Sequence, residues 1–242
     1  MTGTIYGVGL GPGDPDLMSV KTHRLLTNAK HVAFFRKAGR KGQARSIVDG
    51  MIPEAAIEFP MEYPVTTEIP LTDPRYNEIL SGFYAEVTDH LISLAKSGED
   101  VVVLCEGDPF FYGSFMHIYA RVKDHVPTDV VPAITGMSGA WTATGAPITW
   151  GDDVLTVLMG TLGEEKLTKH IEETDALVIM KIGTNFEKVI RALKAGGKYD
   201  DAYLVQFATM GGKQTVNKLS EVTEKVTPYF SIIVVHGQGR RP

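Results

Sequence analysis

The chain has 242 residues, of which 43% are hydrophobic, so it can bury a sizeable core and is not a disordered protein. Its formal net charge of −5 argues against a general nucleic-acid binder, and its one cysteine excludes a disulfide within the chain. The sequence contains neither a signal-like N-terminus nor an apolar run of about 18 residues. We therefore expect a cytoplasmic protein with no nucleic-acid or membrane partner.

Short apolar runs alternate with amphipathic stretches along the chain, which is typical of an α/β protein. The clearest helix is predicted at 74–97, because Asp73 can cap it, Pro74 suits its first turn and Gly98 follows its end. Strands are predicted at 4–8, 31–35, 101–105, 129–131, 155–159, 177–181, 202–207 and 231–235. Further helices are predicted at 19–28, 113–122, 138–144, 164–173 and 185–195.

Two proline-rich regions interrupt this pattern. Residues 53–74 contain five prolines and predict an extended loop, too long for a simple connector, that could serve as a lid or a substrate wall. Residues 126–132 contain two more and predict a hinge between two halves of the chain. The predicted domains are therefore an N-terminal α/β domain at 1–126 and a C-terminal α/β domain at 127–242.

The segment GVGLGPGD at 7–14 carries four glycines directly after the first predicted strand. Such a turn lets the backbone approach a ligand without a Cβ in the way, as in nucleotide-type cofactor sites. The dinucleotide spacing G-x-G-x-x-G fails, because Pro12 or Asp14 stands where the third glycine is required. The acidic residue that binds the ribose of NAD is also missing, since no Asp or Glu occurs between positions 16 and 49. The loop therefore predicts a cofactor other than NAD.

Two further segments follow predicted strands at their carboxyl ends, where ligands of α/β sheets bind. The first is EGDPFFYGSF at 106–115, which offers glycine backbone, two carboxylates and an aromatic wall; the alternative is a turn leading into a helix that packs in the core. The second is PAITGMSGA at 132–140. It is not an esterase elbow around Ser138, because Ala140 stands where that motif needs glycine.

In this order and spacing the three segments resemble the tetrapyrrole (corrin/porphyrin) methylase family, over residues 4 to about 235. The resemblance implies two α/β domains that form a homodimer, with the methyl donor S-adenosylmethionine (SAM) in the cleft between the domains. The chain departs from the family at Ala133, where members usually carry glycine. The segments 177–183 and 203–209 resemble the two C-terminal cofactor-wall segments of the family.

Carried over position by position, the resemblance assigns the contacts with SAM to a set of motif residues. They are Leu10, Pro12, Glu106, Gly107, Asp108, Phe111, Tyr112, Thr135, Gly136, Ile182 and Ala208. No catalytic residue is assigned, since no base for the departing proton can be named from the sequence. No metal site is expected either, because the seven histidines lack ligand spacing and only one cysteine is present.

Positive charge is concentrated in one stretch of this acidic chain. Between positions 16 and 49 lie eight of the 24 Lys and Arg residues and no acid, a region we call the basic window. Arginine can bind carboxylates bidentately, so Arg36, Lys37 and Arg40 are candidate residues for binding a polycarboxylated substrate. The alternative is a solvated basic face with no ligand.

Three features are most similar to the branch of the family that methylates carbon C20 of precorrin-2: residues 35–48, the phrase EFPM at 58–61, and Glu106 in the second segment. The resemblance implies transfer of a methyl group from SAM to this polycarboxylated tetrapyrrole, giving precorrin-3A for cobalamin biosynthesis. Two alternatives stay open. One is a sister methylase acting on another ring carbon or on cobalt-precorrin-2, and the other is a non-catalytic nucleotide- or anion-binding module.

Overall fold

The structure, a computed structural model, describes residues 1–65 and 73–239. Contacts divide the chain into two units, one at Met1–Thr135 and one from Gly136 onward. Each unit has its own five-stranded sheet with helices packed against it. The predicted class, α/β with two α/β domains, is confirmed.

The first unit is built on a fully parallel sheet with the strand order β3-β2-β4-β1-β5. Because the carboxyl ends of parallel strands meet at one edge, the loops that follow the adjacent strands β4, β1 and β5 lie side by side. The strands are β1 (Ile5–Gly9), β2 (His31–Lys37), β3 (Ile57–Tyr63), β4 (Val101–Cys105) and β5 (Thr128–Val131). The helices are α1 (Val20–Thr27), α2 (Gln43–Ile47), α3 (Pro74–Lys96) and α4 (Phe115–Val122).

The long helix α3 begins and ends as its sequence predicts. The Asp73 side chain accepts a hydrogen bond from the Arg75 backbone N–H, and Pro74 occupies the first helical position. Its apolar stripe at helical spacing, which includes Val87 and Leu91, is buried in the core of the first unit.

The prediction of an irregular loop at 53–74 is wrong over residues 57–63, which form the strand β3. This strand lies at the edge of the sheet and pairs with β2 alone. Pro60 has no N–H to donate, and an edge strand tolerates this because one of its sides needs no partner. The remainder of the predicted lid includes residues 66–72, which lie outside the described residues.

The prediction of a hinge at 126–132 is also wrong. Residues Thr128–Val131 form β5, which pairs with β1 in parallel, and Val131 is buried. Since β5 completes the first sheet, the contacts divide the chain after Thr135, later than the boundary predicted at 126/127.

The second unit is built on a mixed sheet with the order β6-β7-β10-β8-β9. Strands β6 and β7 are parallel, whereas β10 runs antiparallel to both β7 and β8, and β9 antiparallel to β8. The strands are β6 (Leu155–Met159), β7 (Ala176–Met180), β8 (Ala202–Gln206), β9 (Thr215–Lys218) and β10 (Ser231–Val235). The helices are α5 (Gly136–Ala143), α6 (Glu164–Glu172) and α7 (Phe186–Ala195).

Two short elements, α2 and β9, have no counterpart in the sequence prediction. Both are shorter than the window over which hydrophobic periodicity can be recognised. Among the described residues, no helix combines the length and apolar character that a crossing of a lipid bilayer requires.

Candidate cofactor and substrate site

The three glycine-containing segments meet at Gly9, the last residue of β1, through residues of the first unit. A Cβ at this position would overlap the Cβ of Ala133 and would lie 2.7 Å from the Gly107 carbonyl oxygen. Real Cβ atoms do not approach backbone so closely, so only glycine allows the segments to close on one another. The predicted motifs at 7–14, 106–115 and 132–140 therefore form one cluster at the carboxyl edge of the first sheet.

Backbone hydrogen bonds join the first two segments. The Leu10 N–H donates to the Cys105 carbonyl at 2.9 Å, and the Gly107 N–H donates to the Gly11 carbonyl at 2.9 Å. Gly107 adopts a φ of +63°, which glycine accommodates without strain. Leu10 and Pro12 are buried, so they form the base of this turn and contribute little side-chain surface to a ligand.

Asp108 joins the second segment to the third. Its Oδ1 accepts a hydrogen bond from the Phe110 N–H at 2.9 Å, and its Oδ2 accepts one from the Ala133 N–H at 3.0 Å. The chain's departure from the family at Ala133 is thereby accommodated, because its Cβ lies opposite Gly9, which has none. The Asp108 carboxylate thus fixes the path of the chain toward Thr135 and Gly136.

Glu106 directly follows β4 and is exposed. Nearby protein atoms desolvate its carboxyl group, which raises its pKa to about 7, and the backbone N–H of Ala44 opposes the shift. Its neighbour Cys105 is buried, and burial raises the pKa of that thiol far above its usual range. Cys105 is therefore an unreactive, buried strand residue.

Aromatic side chains follow the two carboxylates. Phe111 and Tyr112 pack edge to face with ring centroids 4.9 Å apart, and Tyr112 is 46% exposed. Tyr112 also has a φ of +54°, a left-handed conformation that is costly for a residue with a bulky side chain. Such strain persists only where the surroundings impose it, and it is concentrated at functional sites.

Two of the three predicted contacts in the second unit, Ile182 and Ala208, lie next to residues that also have a positive φ. Lys181 (φ +53°) precedes Ile182 after β7, and Phe207 and Thr209 (φ +50° and +63°) flank Ala208 after β8. Ile182 is only 1% exposed and belongs to the core of this unit, so a ligand there would meet its backbone rather than its side chain. Every non-glycine residue with a positive φ in the described chain is thus in or beside a predicted cofactor segment.

The basic window is largely neutralised by carboxylates from distant parts of the first unit. Arg36 pairs with Glu62 at 2.5 Å, and Arg45 makes a bidentate contact with Glu58 at 2.8 and 2.9 Å. Three lysines of the window are paired as well: Lys21 with Asp129, Lys30 with Glu99 and Lys41 with Asp49. Of the candidate substrate residues, Lys37 is exposed at the end of β2, Arg40 is exposed in the turn that follows, and Arg36 is half-buried.

The sequence analysis did not find how Ala133 contributes to this arrangement. Ala133 acts through its backbone N–H, which donates to Asp108, and through its small side chain opposite Gly9. No residue-type pattern identifies a backbone donor, so only the fold could reveal this contact.

Comparison with known proteins agrees with this geometry. The sequence profile of the Tetrapyrrole (Corrin/Porphyrin) Methylases matches residues 4–223. The chain is 43% identical to a precorrin-2 C(20)-methyltransferase of Sinorhizobium sp over 240 residues, covering 99% of this chain and 98% of that protein. It is 26% identical to the cobalt-precorrin-2 C(20)-methyltransferase of Salmonella typhimurium, covering 98% of each.

Among solved structures, the chain is similar to the uroporphyrin-III C-methyl transferase of Thermus thermophilus complexed with S-adenosyl homocysteine. The TM-score is 0.67 at 23% identity, and the match covers 97% of each chain. At this identity the likeness shows a shared fold.

Proposed function

The chain belongs to the tetrapyrrole (corrin/porphyrin) methylase family, and from this premise we propose that it transfers a methyl group from SAM to carbon C20 of precorrin-2. The product would be precorrin-3A, an intermediate in the construction of the corrin ring of cobalamin. One observation carries the proposal: the 43% identity to a precorrin-2 C(20)-methyltransferase over nearly the whole of both chains.

The residues of the first unit fit a donor with a flat base, a ribose and an amino-acid tail. Glycine backbone at Gly11 and Gly107 allows close approach, Phe111 and Tyr112 offer an aromatic surface, and the neighbouring loop leads through Thr135 to the start of α5. When bound, SAM supplies an activated methyl group on its sulfonium. The protein then needs only to orient the reactants and exclude water.

The basic residues 36, 37 and 40 are proposed to bind the carboxylates of the tetrapyrrole. Lys37 is exposed at the end of β2 and Arg40 after it, and Arg36 is held by Glu62 in a pair that is 30% and 44% exposed. An ion pair with this exposure contributes little, about 0.2–1 kcal/mol, so a substrate carboxylate can take the place of Glu62.

The experiment for this function is incubation of the purified protein with SAM and precorrin-2, with and without inserted cobalt, followed by mass spectrometry. We expect precorrin-2 to gain one methyl group and S-adenosylhomocysteine to accumulate in equal amount. A protein that binds SAM but methylates neither form would instead be the non-catalytic binding module.

Cobalt-precorrin-2 is the second candidate substrate. It is favoured by the 26% identity to a cobalt-precorrin-2 C(20)-methyltransferase, which covers 98% of both chains. The higher identity to the relative whose name lacks cobalt makes the metal-free macrocycle our first choice. Faster turnover of the cobalt form would reverse this order.

The family resemblance also leads us to propose that the protein works as a homodimer in the cytoplasm. Sedimentation velocity at micromolar concentration tests the assembly, and a single species with the mass of one chain would contradict it. Fractionation of the producing cells tests the location.

A further inference from the structure

We propose that Tyr63 is a positioning residue for methyl transfer, because its hydrogen bond to Ser114 ties the strand ends that carry the proposed tetrapyrrole-binding residues to the second cofactor segment. Tyr63 is the last residue of β3, and Ser114 belongs to the segment at 106–115 that follows β4. The side-chain hydroxyl groups of the two residues are joined by the hydrogen bond. The kinetic part of this inference rests on the proposed function, whereas its structural part can be tested without a tetrapyrrole.

The contact between Tyr63 and Ser114 joins parts of the first sheet that are not neighbours. Strand β3 pairs with β2 alone, and β2 separates it from β4. Neighbouring strands are about 5 Å apart, so β3 and β4 are separated by roughly 10 Å. The segment that leaves β4 therefore has to reach across β2 to make this contact.

The ring of Tyr63 is fixed on the side of β2. It stacks on Phe35 with ring centroids 5.2 Å apart and an angle of 14° between the planes, and it contacts Phe83 of α3 at 5.3 Å. In the register of the two strands Tyr63 lies opposite Lys37, and the ring on which it stacks directly precedes Arg36. The Tyr63 hydroxyl group is therefore held in place relative to two of the proposed substrate residues.

Ser114 occupies the N-cap position of α4 but does not cap that helix. Its side chain makes no capping hydrogen bond, although serine is among the residues most favoured for this role. The hydroxyl group instead bonds to Tyr63, which lies 51 positions away in the chain. A bond within the helix is thus replaced by one across the sheet, which points to a role beyond the stability of α4.

The strained turn at Tyr112 is held between two anchors. Before it, Asp108 accepts hydrogen bonds from two backbone N–H groups. After it come the bond of Ser114 to Tyr63 and the buried ring of Phe115. A positive φ at a bulky residue persists only where the surroundings impose it, so the loss of an anchor should let the turn relax. The aromatic surface proposed for the methyl donor would then shift relative to the ends of β2 and β3.

Methyl transfer requires the acceptor carbon and the methyl group on the sulfonium to be aligned, and a misplacement of about 1 Å can lower the rate by a factor of about 100. The proposed function places the donor at the cofactor segments and the carboxylates of the tetrapyrrole at the end of β2 and in the turn after it. The bond between Tyr63 and Ser114 joins these two parts of the first unit. Its loss should therefore lower kcat, and it should change KM and the affinity for SAM little, because no contact with either ligand is removed.

The structural test compares Tyr63→Phe with the matched control Tyr84→Phe by NMR, with no ligand present. Tyr84 belongs to the same aromatic cluster, so the control removes a hydroxyl group from the cluster and leaves the bond to Ser114 in place. The backbone amide signal of Tyr112 should shift in Tyr63→Phe and keep its position in Tyr84→Phe. An unchanged Tyr112 signal in Tyr63→Phe would overturn the proposal.

The kinetic test is a double-mutant cycle with precorrin-2 and SAM. We expect Tyr63→Phe and Ser114→Ala each to lower kcat about tenfold, and the double variant to lose no more than either single variant, because each change removes the same hydrogen bond. KM for the tetrapyrrole and the affinity for SAM should stay within about twofold of the wild type, and Tyr84→Phe should retain the wild-type kcat.

Three outcomes of the cycle would contradict the positioning role: a wild-type kcat in Tyr63→Phe, losses in kcat that multiply in the double variant, or a loss of SAM affinity with an unchanged kcat. An inactive wild type would refute the proposed function instead. The NMR comparison would then still decide whether the bond between Tyr63 and Ser114 holds the turn at Tyr112.

Discussion

The residues on either side of Gly107 are both acidic, but their carboxyl groups differ. Asp108 accepts hydrogen bonds from the Phe110 N–H and from the Ala133 N–H of the third segment. Desolvation raises the pKa of the Glu106 carboxyl group to about 7. The end of β4 thus carries one carboxylate that fixes the path of the third segment and one carboxyl group that titrates near neutral pH.

Removing the acceptor at Asp108 should weaken the binding of SAM. In Asp108→Asn the amide NH2 group faces one of the two backbone N–H donors, so one hydrogen bond is lost. Asp108→Ala loses both hydrogen bonds. Each lost bond is expected to cost about 1–3 kcal/mol of stability, since it leaves a backbone donor unpaired. We expect calorimetry to show a roughly tenfold lower SAM affinity for Asp108→Asn.

Asp129→Asn serves as the control for Asp108, because Asp129 accepts from Lys21 and from the Val130 N–H away from the cluster. It should bind SAM as the wild type does. Equal affinities for the wild type and Asp108→Asn would show that the third segment needs no such anchor.

The raised pKa of Glu106 predicts a stability difference that depends on pH. Between its ordinary value of 4.5 and about 7, the folded protein retains a proton that the unfolded chain has lost, so the free energy of unfolding falls with rising pH. Glu106→Gln has no such proton. The melting temperature of Glu106→Gln minus that of the wild type should therefore increase from pH 5 to pH 7 and stay constant above pH 7.

Differential scanning calorimetry of both proteins across this range checks the stability prediction. A difference in melting temperature that stays constant from pH 5 to pH 8 would mean that Glu106 titrates at its ordinary value.

At the scale of elements, the turn after β2 and its neighbours distribute the positive charge unevenly. The lysines at positions 21, 30 and 41 pair with carboxylates, and Lys37 and Arg40 are exposed at the end of β2 and in the turn after it. Three positive charges can therefore be removed either from residues 36, 37 and 40 or from the lysines at 21, 30 and 41, and we expect only the first change to affect binding of the tetrapyrrole.

Changing Arg36, Lys37 and Arg40 together to Gln should raise the KM for the tetrapyrrole several-fold and leave the affinity for SAM unchanged. The matched control changes Lys21, Lys30 and Lys41 to Gln, which removes the same charge from positions that are not proposed to bind the substrate. Steady-state kinetics at physiological ionic strength, where long-range effects are screened, compares the two sets. Equal KM values for both triple variants would make the basic window a solvated face.

The sequence predicted the elements whose signals are local. The glycine segments, the capped helix α3 and most strands follow from spacing and apolar runs that lie within one stretch of chain. The contact of Asp108 with Ala133 joins residues 25 positions apart, and the partners of the basic window come from β3, β5 and the turn before β4, so no local pattern could show them. Pro60 misled the prediction of β3 because the position of a strand at an edge is a property of the whole sheet.

At the scale of the whole molecule, the two units differ in how they serve a ligand. The first has a parallel sheet whose adjacent loops, after β4, β1 and β5, are tied by backbone and Asp108 contacts into one cluster. The second has a mixed sheet in which the segments at Ile182 and Ala208 are marked by strained backbone rather than by polar side chains.

The central claim, methyl transfer to C20, is tested most directly by NMR of the product formed from precorrin-2 and SAM carrying an isotope-labelled methyl group. We predict one labelled methyl signal, bonded to the C20 carbon of the macrocycle, and none elsewhere on the ring. A labelled methyl group on any other ring carbon, or no label in the tetrapyrrole while SAM is bound, would contradict the account.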